Sequence, residues 1–285
     1  MTYRPEAARA EQQVQAFVEA VGCSGTADEL ACLRDKPVRD LLIAAPLDGG
    51  SPDAPGGRQF SGGTPRWEFN PVVDGELIPA QPRELVAAHD FADVPYLTGS
   101  NFEEGRLFLL SVTTPVTTET EYLAALQRLF GNFAPGVAEL YPVSAFATPQ
   151  DALVRVWGDY RLVCSTTETA RRLAANGANV YLYDFARAIP SLEALGATHG
   201  VELPYVFGTL QSPGADDTAL SNAMQDYWTR FAASGDPNGE GALAWPLFNE
   251  TSDERTNLDV PLSVISGFRS AECDFWATVH DAAFP

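Results

Sequence analysis

Apolar positions recur along the chain with two different periods. In residues 6–21, Val14, Phe17, Val18 and Val21 fall at spacings of three and four, the mark of one helical face. Gly22 then predicts the stop. Asp28 can cap a second short helix running through Leu33, and Pro37–Ala44 repeats the amphipathic pattern. Longer helical stretches are expected over Glu119–Phe130, Asp151–Asn176 and Thr218–Ser234. Three short apolar runs read instead as buried strands: Pro95-Tyr-Leu-Thr-Gly99, Asn179-Val-Tyr-Leu-Tyr-Asp-Phe185 and Leu262-Ser-Val-Ile265. Strands alternating with helices predict an α/β sheet rather than a bundle or a sandwich. The Gly-, Pro- and Ser-rich stretch Asp48–Pro65 predicts an irregular surface loop.

Charge narrows the partners. Lys and Arg total 18 against 38 Asp and Glu, a formal net charge of −20. Such a field repels phosphate backbones, which argues against nucleic acid and anionic membrane and leaves neutral or cationic ligands. No apolar run approaches the ~18 residues needed to span a bilayer. The start, Met1-Thr-Tyr-Arg-Pro-Glu, lacks the basic and apolar regions of a signal peptide.

The four cysteines, Cys23, Cys32, Cys164 and Cys273, contain no Cys-x-x-Cys pair, and the three histidines offer no zinc spacing. Two disulfides are therefore expected over a metal, with four reduced thiols as the alternative. A Cys23–Cys32 bridge would close a short local loop. A Cys164–Cys273 bridge would tie the C-terminal region to the middle of the chain. Disulfides would imply an oxidising compartment.

In an open α/β sheet, ligands sit beyond the carboxyl ends of the strands. Glu104, in Gly99-Ser-Asn-Phe-Glu-Glu-Gly105, follows the first predicted strand. His199, in Thr198-His-Gly-Val-Glu-Leu-Pro-Tyr-Val-Phe-Gly208, follows the second, so both belong to loops at one edge. A histidine acting as general base on a serine needs a carboxylate on its other nitrogen, to fix the tautomer and stabilise the imidazolium. Glu104 directly precedes Gly105 and fits that role, with Glu103 as a solvated or hydrogen-bonding neighbour. His89 and His280 read as solvent-facing. Asp236 in Gly235-Asp-Pro-Asn238 reads as turn chemistry, Trp228, Trp245 and Trp276 as core, and the sequon Asn249-Glu-Thr251 as a match common by chance. No Gly-x-Ser-x-Gly occurs, so the turn that presents a nucleophilic serine is lacking.

An ordered set of motifs runs nearly end to end: Phe69-Asn-Pro-Val-Val-Asp-Gly75 with Pro79, Gly99–Gly105, His199–Gly208, Tyr227-Trp-x-x-Phe-Ala232, Gly235-Asp-Pro-Asn238, Trp245-Pro246 and Cys273-Asp-Phe-Trp276. Together they resemble the type-B carboxylesterases, which include the cholinesterases and several lipases. The resemblance implies an α/β-hydrolase fold over residues 1–285, as a single partial domain. It would hold the C-terminal part of a mostly parallel sheet with flanking helices. Glu104 and His199 would be triad acid and base, Glu202 a buried carboxylate supporting the site, and Asp159 a structural acid. Cys23–Cys32 and Cys164–Cys273 are similar to bridges found in the family, which would make the protein extracellular if it derives from a longer precursor.

The departures matter as much. The family's N-terminal half carries the serine elbow, the glycine-rich oxyanion hole and an aromatic cation site, and this chain begins past them. Leu107 stands where cholinesterases tend to have an aromatic residue, with Phe108 next to it. Loss of a π face removes a cation–π contribution of ~0.5–2 kcal/mol, which disfavours choline esters. Trp67 falls near the family's acyl pocket. The expectation is hydrolysis of uncharged carboxylic esters without cofactor or metal. The serine would come from a missing N-terminal half or a second chain, and this chain alone would have little activity. The alternatives are a non-catalytic interaction or adhesion module, or a truncated gene product without activity.

Overall fold

A computed structural model describes residues 7–44, 71–109, 115–189 and 193–283. The predicted Asp48–Pro65 loop and Trp67 lie outside the described residues. Helices α1 (Ala7–Ala20), α2 (Glu29–Asp35) and α3 (Val38–Ala44) open the fold, and α4 (Pro82–Ala87) precedes the first strand. Gly22, at φ 69°, follows α1 in the left-handed region that ends helices. Asp28 caps α2 by accepting from the Ala31 N–H. A disulfide joins Cys23 to Cys32 across this turn.

The sheet has four strands in the order β1 (Tyr96–Asn101), β2 (Val180–Phe185), β3 (Glu254–Leu258), β4 (Ser263–Ser266). The first three are parallel and β4 is antiparallel to β3. Strand β2 is buried almost throughout, which explains its near-continuous apolar run. Its Val180 and Leu182 pack into one cluster with Val86, Ala170 and Phe248, while Tyr181 and Phe185 pack on the other face with Tyr205, Met224, Tyr227 and Trp245. Gly99 lies opposite Tyr183, and a Cβ there would collide with the Tyr183 ring.

Between β1 and β2 run α5 (Gly105–Leu109), α6 (Glu119–Phe130), α7 (Ala134–Leu140), α8 (Pro149–Gly158) and α9 (Cys164–Ala175). The single helix expected over Asp151–Asn176 is divided: a π-helical turn, Asp159–Val163, separates α8 from α9. After β2 come α10 (Leu203–Val206) and α11 (Ala215–Ser234), and after β4 the last helix, α12 (Ser270–Ala283). Phe130, Tyr141, Tyr160 and Trp276 form the aromatic centre of the helical layer, and burying each such side chain stabilises by about 1.5–3 kcal/mol. The second disulfide, Cys164–Cys273, ties α9 to α12 inside this layer.

Two expectations are corrected and one strand is added. Strand β1 continues past Gly99 to Asn101. Strand β3 went unforeseen because Glu254-Arg-Thr-Asn-Leu258 is polar; its Arg255 is buried between Asp184 and Asp253. His280 does not face solvent: its Nδ1 lies 3.1 Å from Glu168 Oε2 and its ring packs beside Tyr160.

Candidate active site

Strands β1 and β2 end in register, with Asn101 opposite Phe185, so the loops that follow them leave the sheet side by side. The loop after β1 is pinned residue by residue. Phe102 donates its N–H to Phe185 O at 2.9 Å and accepts at its carbonyl from Arg269 Nη2 at 2.6 Å. Arg269, at the start of α12, also pairs with the buried carboxylate of Asp159. Burial raises the Asp159 pKa against the opposing pull of Arg269 and Arg155. Glu103 donates its N–H to Ala197 O at 2.9 Å, and its carboxylate accepts from Arg155 at 2.8 Å. It is an ion-paired neighbour rather than a solvated one.

Glu104 is only 6% exposed. Its Oε1 accepts the Asn101 N–H at 2.8 Å, and its Oε2 lies 2.6 Å from His199 Nδ1. Burial pushes the Glu104 pKa up, while the Asn101 N–H and His199 hold it down. A carboxylate only accepts, so its partner nitrogen, Nδ1, carries the hydrogen, and Nε2 is left as the imidazole's acceptor. The His199 side chain is 46% exposed, so the ring that carries this nitrogen is not sealed in the core. The pair can therefore take a proton at Nε2 while Glu104 stabilises the resulting imidazolium.

The sequence matches the carboxylesterase family over residues 2–276. The chain belongs to that family. Membership in the carboxylesterase family accounts for the α/β-hydrolase character of the mostly parallel sheet and supports a carboxylic-ester-hydrolase-like function. The two disulfides are consistent with an extracellular carboxylesterase, and no helix among the described residues is long and apolar enough to cross a membrane.

The other predicted positions divide around this pair. Phe108, on α5, packs its ring 4.9 Å from the His199 imidazole and 4.5 Å from Trp157. Leu107, beside it, is exposed and donates its N–H to Thr198 Oγ1 at 3.0 Å. Glu202 is half-buried rather than buried, and it reaches the site through Asn101, whose side-chain amide it accepts from. Trp67 lies outside the described residues. Among the described residues no group of three or more His, Cys, Asp or Glu could hold a metal ion. Sequence reasoning missed Asn101, Thr198 and Arg269. Asn101 and Thr198 stand inside the motifs that drew attention to Glu104 and His199, but their type alone carried no signal.

Proposed function

We propose that the chain is the acid- and base-bearing part of a serine esterase that hydrolyses uncharged carboxylic esters. The observation that carries this reading is the 2.6 Å contact between His199 Nδ1 and Glu104 Oε2, on adjacent loops beyond the carboxyl ends of β1 and β2. In the reaction, His199 Nε2 takes the proton of a serine hydroxyl as that oxygen attacks the ester carbonyl. It returns the proton to the leaving alkoxide, then repeats the cycle on water to release the acid. Glu104 keeps the imidazole in the tautomer this requires. Phe108, against the imidazole, borders the space that one arm of the ester fills, and Leu107 offers it an aliphatic rather than an aromatic surface.

The serine and the oxyanion donors come from outside this chain, either from a preceding segment or from a second polypeptide. The chain by itself lacks a nucleophile and turns over esters little or not at all. The test is to read the frame upstream of the Met1 codon and to assay a neutral aryl ester with this chain, and with this chain joined to whatever that frame encodes. Turnover that appears only in the joined protein and vanishes in His199→Ala supports the reading. Serine-hydrolase turnover by the chain alone would overturn the external serine, and turnover unaffected by His199→Ala would overturn the site.

A further inference from the structure

Asn101 touches both halves of the candidate dyad. It is the last residue of β1, buried at 2% exposure, and its position opposite Phe185 is fixed by the sheet. Its backbone N–H occupies one Glu104 oxygen at 2.8 Å, which leaves the other for His199. Its side chain serves the histidine loop. Nδ2 donates to Thr198 O at 2.8 Å and to Glu202 Oε2. Both partners only accept, so the atom facing them is nitrogen and the amide orientation follows.

These two acceptors flank His199 on either side. One planar amide thus grips the histidine segment at two points, while the same residue's backbone holds the acid. We propose that Asn101 is the positioning residue that sets the distance between the acid and the base. The inference rests on the reading of Glu104 and His199 as the acid and base of an ester hydrolase. Among side chains of this size only asparagine supplies two donors from one atom: aspartate would turn acceptors toward acceptors, and alanine would supply nothing. The loop would still be tied down by Glu103 N–H to Ala197 O and by Leu107 N–H to Thr198 Oγ1, so losing the amide moves His199 without releasing it.

The experiment uses the esterase assembled with its serine and compares Asn101→Asp, Asn101→Ala and the neighbouring Ser100→Ala. Ser100 faces Asp184 rather than the histidine loop. Three quantities are read: the far-downfield Nδ1 proton of His199 by NMR, kcat and KM for a neutral ester, and the melting temperature. A misplacement of the dyad by about 1 Å lowers kcat about hundredfold. Both Asn101 variants are expected to show that loss with KM unchanged and the His199 proton shifted upfield or lost, while Ser100→Ala keeps the proton, kcat and KM although its lost bond to Asp184 lowers the melting temperature. A folded variant with the wild-type proton and kcat overturns the proposal. Failure of both variants to fold makes Asn101 a residue of stability alone and overturns it too. A wild type that shows the downfield proton but hydrolyses no ester sinks the ester-hydrolase reading instead, and the NMR comparison then decides the positioning role.

Discussion

Gly158 and Gly105 approach so closely that a Cβ added to Gly158 would stand 2.7 Å from the Gly105 amide nitrogen. The same Cβ would come within 3.5 Å of Glu104 Cβ, and one added to Gly105 would collide with Val154 O. These glycines let the loop carrying Glu104 rest on α8 at backbone distance. The clash partners are backbone atoms and cannot swing away. Gly158→Ala is expected to destabilise by about 1–3 kcal/mol, the usual cost of forcing extra volume into packed structure. Urea melts compared with wild type check this, and an unchanged midpoint would show that α8 shifts freely.

Removing either member of the dyad is expected to cost far more in rate than in stability. Glu104→Gln preserves shape but offers its amide where a carboxylate oxygen held the Nδ1 hydrogen. The imidazole then favours the wrong tautomer, and kcat in the assembled esterase falls about 10³- to 10⁴-fold. His199→Ala falls further, and the double variant falls no further than His199→Ala alone, because the two act as a unit. Additive losses measured by single-turnover kinetics would separate them into independent roles.

The two disulfides differ mainly in the loop each closes, with sequence separations of 109 for Cys164–Cys273 and 9 for Cys23–Cys32. Chain-entropy arithmetic gives about 4–5 kcal/mol for the long loop and about 2–3 kcal/mol for the short one. Replacing Cys164 and Cys273 by serine should therefore lower the denaturation midpoint more than replacing Cys23 and Cys32. The reverse order would place the larger role in the N-terminal turn.

Strand β1 pairs with β2 on one side and with no strand among the described residues on the other. Leu107 and Phe108 on α5, and Leu203 and Phe207 within or next to α10, are exposed large apolar side chains. An open edge and exposed apolar side chains both favour association. The isolated chain is expected to bind a hydrophobic dye such as ANS and to self-associate in light scattering. A monomeric, dye-negative sample that melts cooperatively would mean that this edge needs no covering.

How far the sequence revealed this site depends on the range of the interactions involved. Apolar periodicity found β2 and the amphipathic helices, because each is decided by residues close in the chain. It stopped β1 at Gly99, since Ser100 and Asn101 look like loop, yet both are buried by partners far along the chain. The polar strand β3 was hidden for the same reason, its buried Arg255 pairing with Asp184 across 71 residues. Local motifs exposed Glu104 and His199. The roles of Asn101 and Arg269 are set by contacts spanning 97 and 167 residues, which no local pattern encodes.

Asp184, one residue before the end of β2, gives the fold a pH dependence of unusual sign. Its carboxylate is buried, and burial pushes its pKa up to about 6 from 3.8, against the pull of Arg255 and Arg269. A carboxyl raised in the folded state binds its proton more tightly there than in the unfolded chain. Its contribution to stability is therefore full below the unfolded value and is lost as pH rises toward about 6. A shift of this size corresponds to about 3 kcal/mol. Asp184→Asn removes the ionisation; its single oxygen can still accept from Arg255 while its NH2 turns to the Ser100 hydroxyl, which can accept, so the variant should gain on the wild type between pH 4 and pH 7 by up to about 3 kcal/mol. The difference between their unfolding free energies, followed across that range, isolates this one group from every other carboxylate. If the wild type gained instead, Arg255 would hold Asp184 charged more strongly than burial opposes it, and the buried pair would be a net stabiliser at neutral pH.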